Sequence, residues 1–489
     1  MSLVYLTGAG PGDPELITLK AKRALESADV VLHDHLANPA LLALAPPNAE
    51  LIYVGKKKSD HACSQEEICD LMIDRARHEL TVVRLKGGDP FIFGRGGEEA
   101  EALAAAGIPY EVIPGVTSPL GIAAYTGVPL THRDHTSVVT FTTGHDVVKI
   151  DWTKVGTAET LVIYMGLSHV DEIVAKILEG GRAPSTPAMA VRWGTRPDQE
   201  VIEGTLATLP GLIHERGLKP PATIIVGEVV RLREKLSWFE RLPLFGKKMV
   251  VTRAAEQAGA LTSMLHQLGA DVVELPTIEI QPAADYTALD AAIGRLPIYN
   301  WLIFTSVNGV RFFLDRLDAS KADVRNIRGR LCAIGPATRD ALERFHLKVD
   351  VMAEEYVAEG LLKALSGFDL SNAKVLIARA AVARDILPEE LRRREAQVEV
   401  VEAYRTVAPA DLRQHARKVL DAKPDWITFT SSSTATNLIA ACGADALRNI
   451  RVASIGPVTS ATLRSAGVDV ATEANPHTMR GLVDRIIGK

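Results

Sequence analysis

The second half of this chain repeats itself, and that repeat constrains the fold more than any other feature. NWLIFTS at 300–306 returns as DWITFTS at 425–431, AIGPATRDAL at 333–342 as SIGPVTSATL at 454–463, and VVTRAA at 250–255 as LIARAA at 376–381. The three offsets lie between 121 and 126 residues, and the order is kept. One such match is coincidence; three in order imply two related units after about residue 245. NWLIFTS and DWITFTS are each a short apolar strand that runs into Thr and Ser and then a helical pattern, so each unit is α/β. Related units commonly face each other across a cleft, and such clefts are preferred ligand sites.

The first half alternates in the same way. LVYL, DVVLHD, ELIYV, TVVRL and YEVIP read as short strands. Between them lie helical patterns such as Ser64 to Arg77, where Ser64 and Glu67 form a capping box and Ile68, Leu71, Met72 and Ala76 share a face. The class is α/β with largely parallel sheets. The pattern breaks at SWFERLPLFGKK, which places a boundary near residue 245, and again near Pro114–Gly115.

Charge and cysteine usage exclude several functions. A net charge of −5 argues against bulk nucleic-acid binding. The basic clusters Lys56–Lys58 and Arg392–Arg394 are open to reading as solvated faces or as sites. Cys63, Cys69, Cys332 and Cys442 include no CxxC pair, so neither a disulfide framework nor a zinc site is expected. A reducing, cytoplasmic setting fits. The first strand begins at Leu3, leaving no room for a signal peptide, and no apolar run reaches a membrane span.

The turn LTGAGPGDP admits two readings. It follows a strand and opens a helix, and Asp34 stands 22 residues after Gly12, where a dinucleotide fold keeps its ribose-binding acid. Against that, the spacing is GxGxG, and Pro11 and Pro14 remove N–H donors that a phosphate needs. A proline-stiffened turn suits a phosphate-free ligand such as S-adenosylmethionine. VVRLKGGDPFIFGRGGEE at 82–99 places a second glycine turn, with Asp89, at another strand end; IPGVTSPLG and THRD follow. Thr117 and Ser118 read either as helix caps or as ligand contacts. His33 and His35 flank Asp34 without an evident third ligand, so no metal is expected.

In the second half Thr305, Ser306, Thr430, Ser431 and Ser432 stand where helices begin. Helix starts offer unpaired N–H groups and a positive dipole end, suited to carboxylates. Thr338 and Thr459, in the IGPAT and IGPVT turns, and Arg253 and Arg379 at strand ends could add to them. Tyr404 reads as strand packing or as a working acid.

GAGPGDPELITLKA, VLHDHL, VGKKK, VRLKGGDPFIFGRGGEE, IPGVTSPLGIAAYTGVPLTHRD, YMGL and PATIIVG together resemble uroporphyrinogen-III C-methyltransferase over about residues 3–240. The resemblance implies two α/β lobes (1–114 and 115–242), S-adenosylmethionine between them, a homodimer formed through this half, and no metal. It implies cofactor contacts at Pro11, Gly87, Gly88, Asp89, Ile92, Thr117, Ser118, Met165, Gly194 and Ala222. Asp34 would be the proton acceptor and Lys56 the donor. The substrate carries many carboxylates, for which Lys56, Lys57, Arg84, Lys86, Arg95 and Arg133 are candidate partners.

VVTRAA, WLIFTSVNGV, AIGPAT, VEAYRTV, WITFTSSSTA and SIGPVTSATL resemble uroporphyrinogen-III synthase over about 247–488. That implies one domain from 247–281 plus 408–489 and another from 282–407, with Tyr404 assisting departure of a hydroxyl. Together the two resemblances imply hydroxymethylbilane closure to uroporphyrinogen III, then two methyl transfers to precorrin-2, in the siroheme or cobalamin branch. The expected partners are small tetrapyrroles, with no nucleic acid and no membrane. Another methyltransferase of the same fold, a nicotinamide-dependent oxidoreductase and a non-catalytic tetrapyrrole-binding regulator are the alternatives.

Overall fold

The computed structural model describes residues 3–55, 63–381 and 385–489; within 255–258 only the backbone is described. The chain divides into two compact units, Met1–Lys247 with Leu265–Asp271, and Lys248–Met264 with Val272–Lys489.

The first unit contains two five-stranded sheets. One comprises β1 (Val4–Gly8), β2 (Val30–His33), β3 (Glu50–Tyr53), β4 (Val82–Lys86) and β5 (Tyr110–Ile113) in the order β3-β2-β4-β1-β5, parallel throughout. The central position of β4 explains its sequence. All five of its residues are buried, as expected of a strand covered on both faces. The helix Gln65–Arg77 starts at the expected capping box, and it buries Cys69 beside Ile68, Met72 and Ala76 while Leu71 is half-buried. The second sheet holds β6 (Val139–Thr143), β7 (Thr160–Tyr164), β8 (Pro187–Arg192), β9 (Glu200–Thr205) and β10 (Ala222–Val226) in the order β6-β7-β10-β8-β9. Only β6 and β7 run parallel in it, so the largely parallel expectation fails for this lobe.

The second unit also contains two sheets. β11 (Lys248–Val251) and β12 (Asp271–Glu274) precede β13 (Glu279–Pro282), β14 (Trp301–Phe304), β15 (Arg330–Ala333), β16 (Val351–Met352), β17 (Lys374–Ala380) and β18 (Gln397–Val407). β19 (Trp426–Phe429), β20 (Arg451–Ser454) and β21 (Thr472–Glu473) complete the chain. The orders are β12-β11-β19-β20-β21 and β13-β18-β17-β14-β15-β16. The duplication is visible here as β11-β19-β20-β21 matched by β17-β14-β15-β16. The repeat period is not the structural unit, however. The VVTRAA strand pairs with the DWITFTS strand, and the LIARAA strand with the NWLIFTS strand. The chain therefore leaves the first sheet, builds the whole of the second, and returns.

Candidate functional site

In the first unit the glycine turns pack against one another. Gly10 N–H donates to Gly88 O (3.2 Å), and Gly88 N–H to Gly10 O (2.7 Å). Ala9 N–H donates to Lys86 O (2.7 Å), and Asp13 N–H to Thr195 Oγ1 (2.9 Å). With Pro11 and Pro14 lacking donors, the turn has little left to offer a phosphate. The glycines are needed because backbones meet here. A Cβ on Gly115 would stand 2.3 Å from Gly88 O, and one on Gly8 2.5 Å from Gly115 N.

Around these turns lies a cleft lined by Gly10, Pro11, Leu36, Gly87, Gly88, Ser118, Ile122, Tyr164, Met165, Val191, Trp193, Gly194, Pro221, Ala222 and Thr223. Seven of the ten expected cofactor positions lie on this wall: Pro11, Gly87, Gly88, Ser118, Met165, Gly194 and Ala222. The other three are not part of it. Thr117 leaves its helix uncapped and instead makes a 2.8 Å hydrogen bond with the Tyr164 hydroxyl. Asp89 spends both oxygens on backbone, accepting from Phe91 N–H (2.8 Å) and Gly115 N–H (3.0 Å). Ile92 is exposed.

Sequence reasoning missed Tyr164 and Trp193. Each immediately precedes an expected contact at a strand end, and that adjacency was the available signal. Tyr164 packs against Phe93 with ring centroids 4.8 Å apart, and Trp193 meets His35 at 5.5 Å. Phe93, Arg95, Met165, Trp193 and Thr195 all hold positive φ, between 49° and 71°. Such conformations persist where the surroundings fix them, and they gather at ligand sites.

Asp34 ends β2. Its Oδ1 accepts from Leu36 N–H (3.0 Å), and its Oδ2 lies 3.4 Å from Arg84 Nη2. Burial lowers the pKa of the neighbouring His33. Arg84 and Lys86, candidate partners for substrate carboxylates, turn inward instead and are each 4% exposed, because β4 is central. Arg95 is exposed and paired with Glu98 (2.6 Å), and Arg133 lies exposed on a turn closed by the His132–Thr136 bridge. Lys56 and Lys57 lie outside the described residues. Among the described residues no three His, Cys, Asp or Glu side chains converge as a metal site, and no helix is long and apolar enough to cross a membrane.

In the second unit Ser306 and Ser431 both cap helices, accepting from Gly309 N–H (3.0 Å) and Thr434 N–H (3.4 Å). Ser306 Oγ also lies 3.0 Å from the Tyr404 hydroxyl. Tyr404 is 7% exposed and stacks on Phe312. Burial raises its pKa, and the Ser306 hydrogen bond partly opposes that. Thr305, Thr430 and Ser432 are half-buried beside these caps, while Thr338 and Thr459 are buried in the first turns of their helices. Arg253 Nη1 lies 2.9 Å from Met479 Sδ, and Arg379 pairs with Asp385.

Residues 3–210 match the family of Tetrapyrrole (Corrin/Porphyrin) Methylases, and residues 259–484 match Uroporphyrinogen-III synthase HemD. The chain is 35% identical to the Porphyrin biosynthesis protein HemD of Ruminiclostridium josui over 99% of its own length and 97% of the relative's. It is 38% identical to the Uroporphyrinogen-III C-methyltransferase of Bacillus subtilis (strain 168), over 70% of this chain and 71% of that one. Among solved structures, the uroporphyrin-III C-methyl transferase from Thermus thermophilus complexed with S-adenyl homocysteine is 43% identical. It covers 47% of this chain and 100% of its own, with a TM-score of 0.41.

Proposed function

Because this chain belongs to the porphyrin-biosynthesis family that fuses a tetrapyrrole methylase to a uroporphyrinogen-III synthase, we propose that it performs two consecutive steps. The second unit closes hydroxymethylbilane to uroporphyrinogen III with inversion of the last ring. The first unit then methylates that product twice, giving precorrin-2. The observation that carries the reading is the cleft of the first unit, walled by backbone at glycine turns and by apolar and aromatic side chains, with the Gly10 and Gly88 N–H groups already committed to each other's carbonyls.

That wall fits S-adenosylmethionine, a ligand without phosphates, and Pro11, Gly87, Gly88, Ser118, Met165, Gly194 and Ala222 would hold it. S-adenosylmethionine supplies the methyl group as an electrophile. The residues of the chain position the pyrrole carbon in line with it, which provides most of the acceleration. Asp34, at the cleft end of β2, takes the proton lost from the methylated ring, with Lys56 as donor. Arg95 and Arg133 meet substrate carboxylates at the surface. In the second unit the capped helix starts at Ser306 and Ser431, with their neighbouring Thr and Ser residues, receive carboxylates, and Tyr404 assists the departing hydroxyl. We place the protein in the cytoplasm, as a dimer through its methylase half, without a metal. Four domains, 1–114, 115–242, 247–281 plus 408–489, and 282–407, divide this work.

One assay tests the proposal. Hydroxymethylbilane and S-adenosylmethionine are supplied together, and the absorbance of the dimethylated product is followed. Product appears if both steps run. Uroporphyrinogen III without dimethylated product refutes the methylation step, and the uninverted isomer alone refutes the closure.

A further inference from the structure

β4 carries Arg84 and Lys86 on one face, two residues apart, and the fully buried carboxylate of Glu99 lies against that face. Three donors converge on Glu99 Oε1: Lys86 Nζ at 2.7 Å, Gln65 Nε2 at 3.1 Å and Arg84 Nε at 3.2 Å. Glu99 Oε2 is buried with no hydrogen-bond partner among the described residues. Arg84 is shared. Its Nε serves Glu99, its Nη1 donates to Leu85 O (3.1 Å), and its Nη2 faces Asp34 Oδ2 at 3.4 Å.

A network built for stability alone would satisfy both Glu99 oxygens, and well-packed apolar side chains would serve a buried strand as well. What ionic residues add here is a fixed guanidinium, held from behind and aimed at the strand-end carboxylate. We infer that Glu99 is a positioning residue for methyl transfer: through Arg84 it sets the orientation and the electrostatic surroundings of Asp34. This rests on the reading of Asp34 as the proton acceptor. Among the described residues the charged and titratable groups around Asp34 include Arg84 and Lys86 on β4, His33 and His35 beside it, Tyr53 on β3 packed against His33, and Glu99 behind Arg84.

The signs of the expected effects follow from charge. Glu99→Gln removes a negative charge behind Arg84, so the site becomes more positive and the acid limb of kcat/KM for methyl transfer moves to lower pH. Lys86→Met removes a positive charge, and the limb moves to higher pH. Each movement is about one pH unit, the size expected of one buried charge at an effective dielectric of about 20. The double variant, with the pair removed, returns toward the wild-type profile.

The experiment measures these profiles in the full-length protein with uroporphyrinogen III under reducing conditions, with S-adenosylmethionine binding by calorimetry as the check on folding. Opposite movements support the inference, since damage to packing would lower rates without moving the limb in opposite directions. Should Glu99→Gln fail to fold, the upward movement in Lys86→Met decides alone. Asp34→Asn separates the two ways of failing. Unchanged turnover there overturns the assignment of the base and this inference with it. A limb abolished in Asp34→Asn but unmoved in the other variants overturns the role of Glu99 only.

Discussion

Tyr404 is the residue whose two readings the structure brings into one place. It packs on Phe312 as a core residue does, yet its hydroxyl meets Ser306, which caps a helix that begins at a strand end. Tyr404→Phe keeps the packing and removes one hydrogen bond, a stability loss of about 1 kcal/mol. We expect its thermal midpoint to stay close to wild type while uroporphyrinogen III formation falls about 100-fold or more, the scale of general-acid catalysis. An unchanged rate removes Tyr404 from the mechanism. Burial also decides cysteine behaviour. It pushes the Cys332 thiol up to about 12 from 9.0, so the folded state favours the neutral thiol. With the folded value above the unfolded one, this contribution to stability is complete below pH 9 and is lost as pH rises toward 12. At pH 8 a thiol reagent should label exposed Cys63 and leave Cys332 unmodified until denaturant is added.

Among elements, the strands and the capping box at Ser64 were legible because they depend on local pattern. The glycine turns were legible as close backbone turns, since prolines and glycines declare their backbone demands locally. What was not legible depended on strand order. Arg84 and Lys86 read as available cations beside a glycine turn; that β4 lies at the centre of its sheet is a non-local fact, and it turns both inward to Glu99. The antiparallel pairs of the second lobe were hidden for the same reason. The junction of Gly8, Gly88 and Gly115 is the element on which the cleft depends. At Gly115 a methyl group would collide with Gly88 O at 2.3 Å and Gly8 Cα at 2.8 Å, both backbone atoms that cannot swing aside. Gly115→Ala should therefore lower the stability of the first unit by roughly 1–3 kcal/mol and abolish S-adenosylmethionine binding in calorimetry. Binding at wild-type strength would show that the turns adjust.

At the scale of the whole molecule, the two proposed reactions use different units, and sites that share no side chains are expected to behave independently. Given hydroxymethylbilane, Tyr404→Phe should yield little dimethylated product. Given uroporphyrinogen III directly, the same variant should methylate it at the wild-type rate. A slow second assay would mean that the units depend on each other. The duplication shows where sequence reading reaches its limit at this scale: the repeats were plain, but their pairing across the chain is set by which strands share a sheet.

That pairing has a consequence in time. β11 cannot complete its sheet until β19 exists, and Lys248 N–H finds its acceptor on Asp425 only 177 residues later. At about 5–20 residues per second of synthesis, the strand waits roughly 10–35 seconds while the intervening sheet is made and folds in front of it. Throughout that interval an apolar edge stands open on a nascent chain whose first sheets are already complete. A ribosome that stalls between residues 275 and 425 would thus release a fragment with a finished methylase half and a strand, β11, paired with β12 on one side and left open and aggregation-prone on the other.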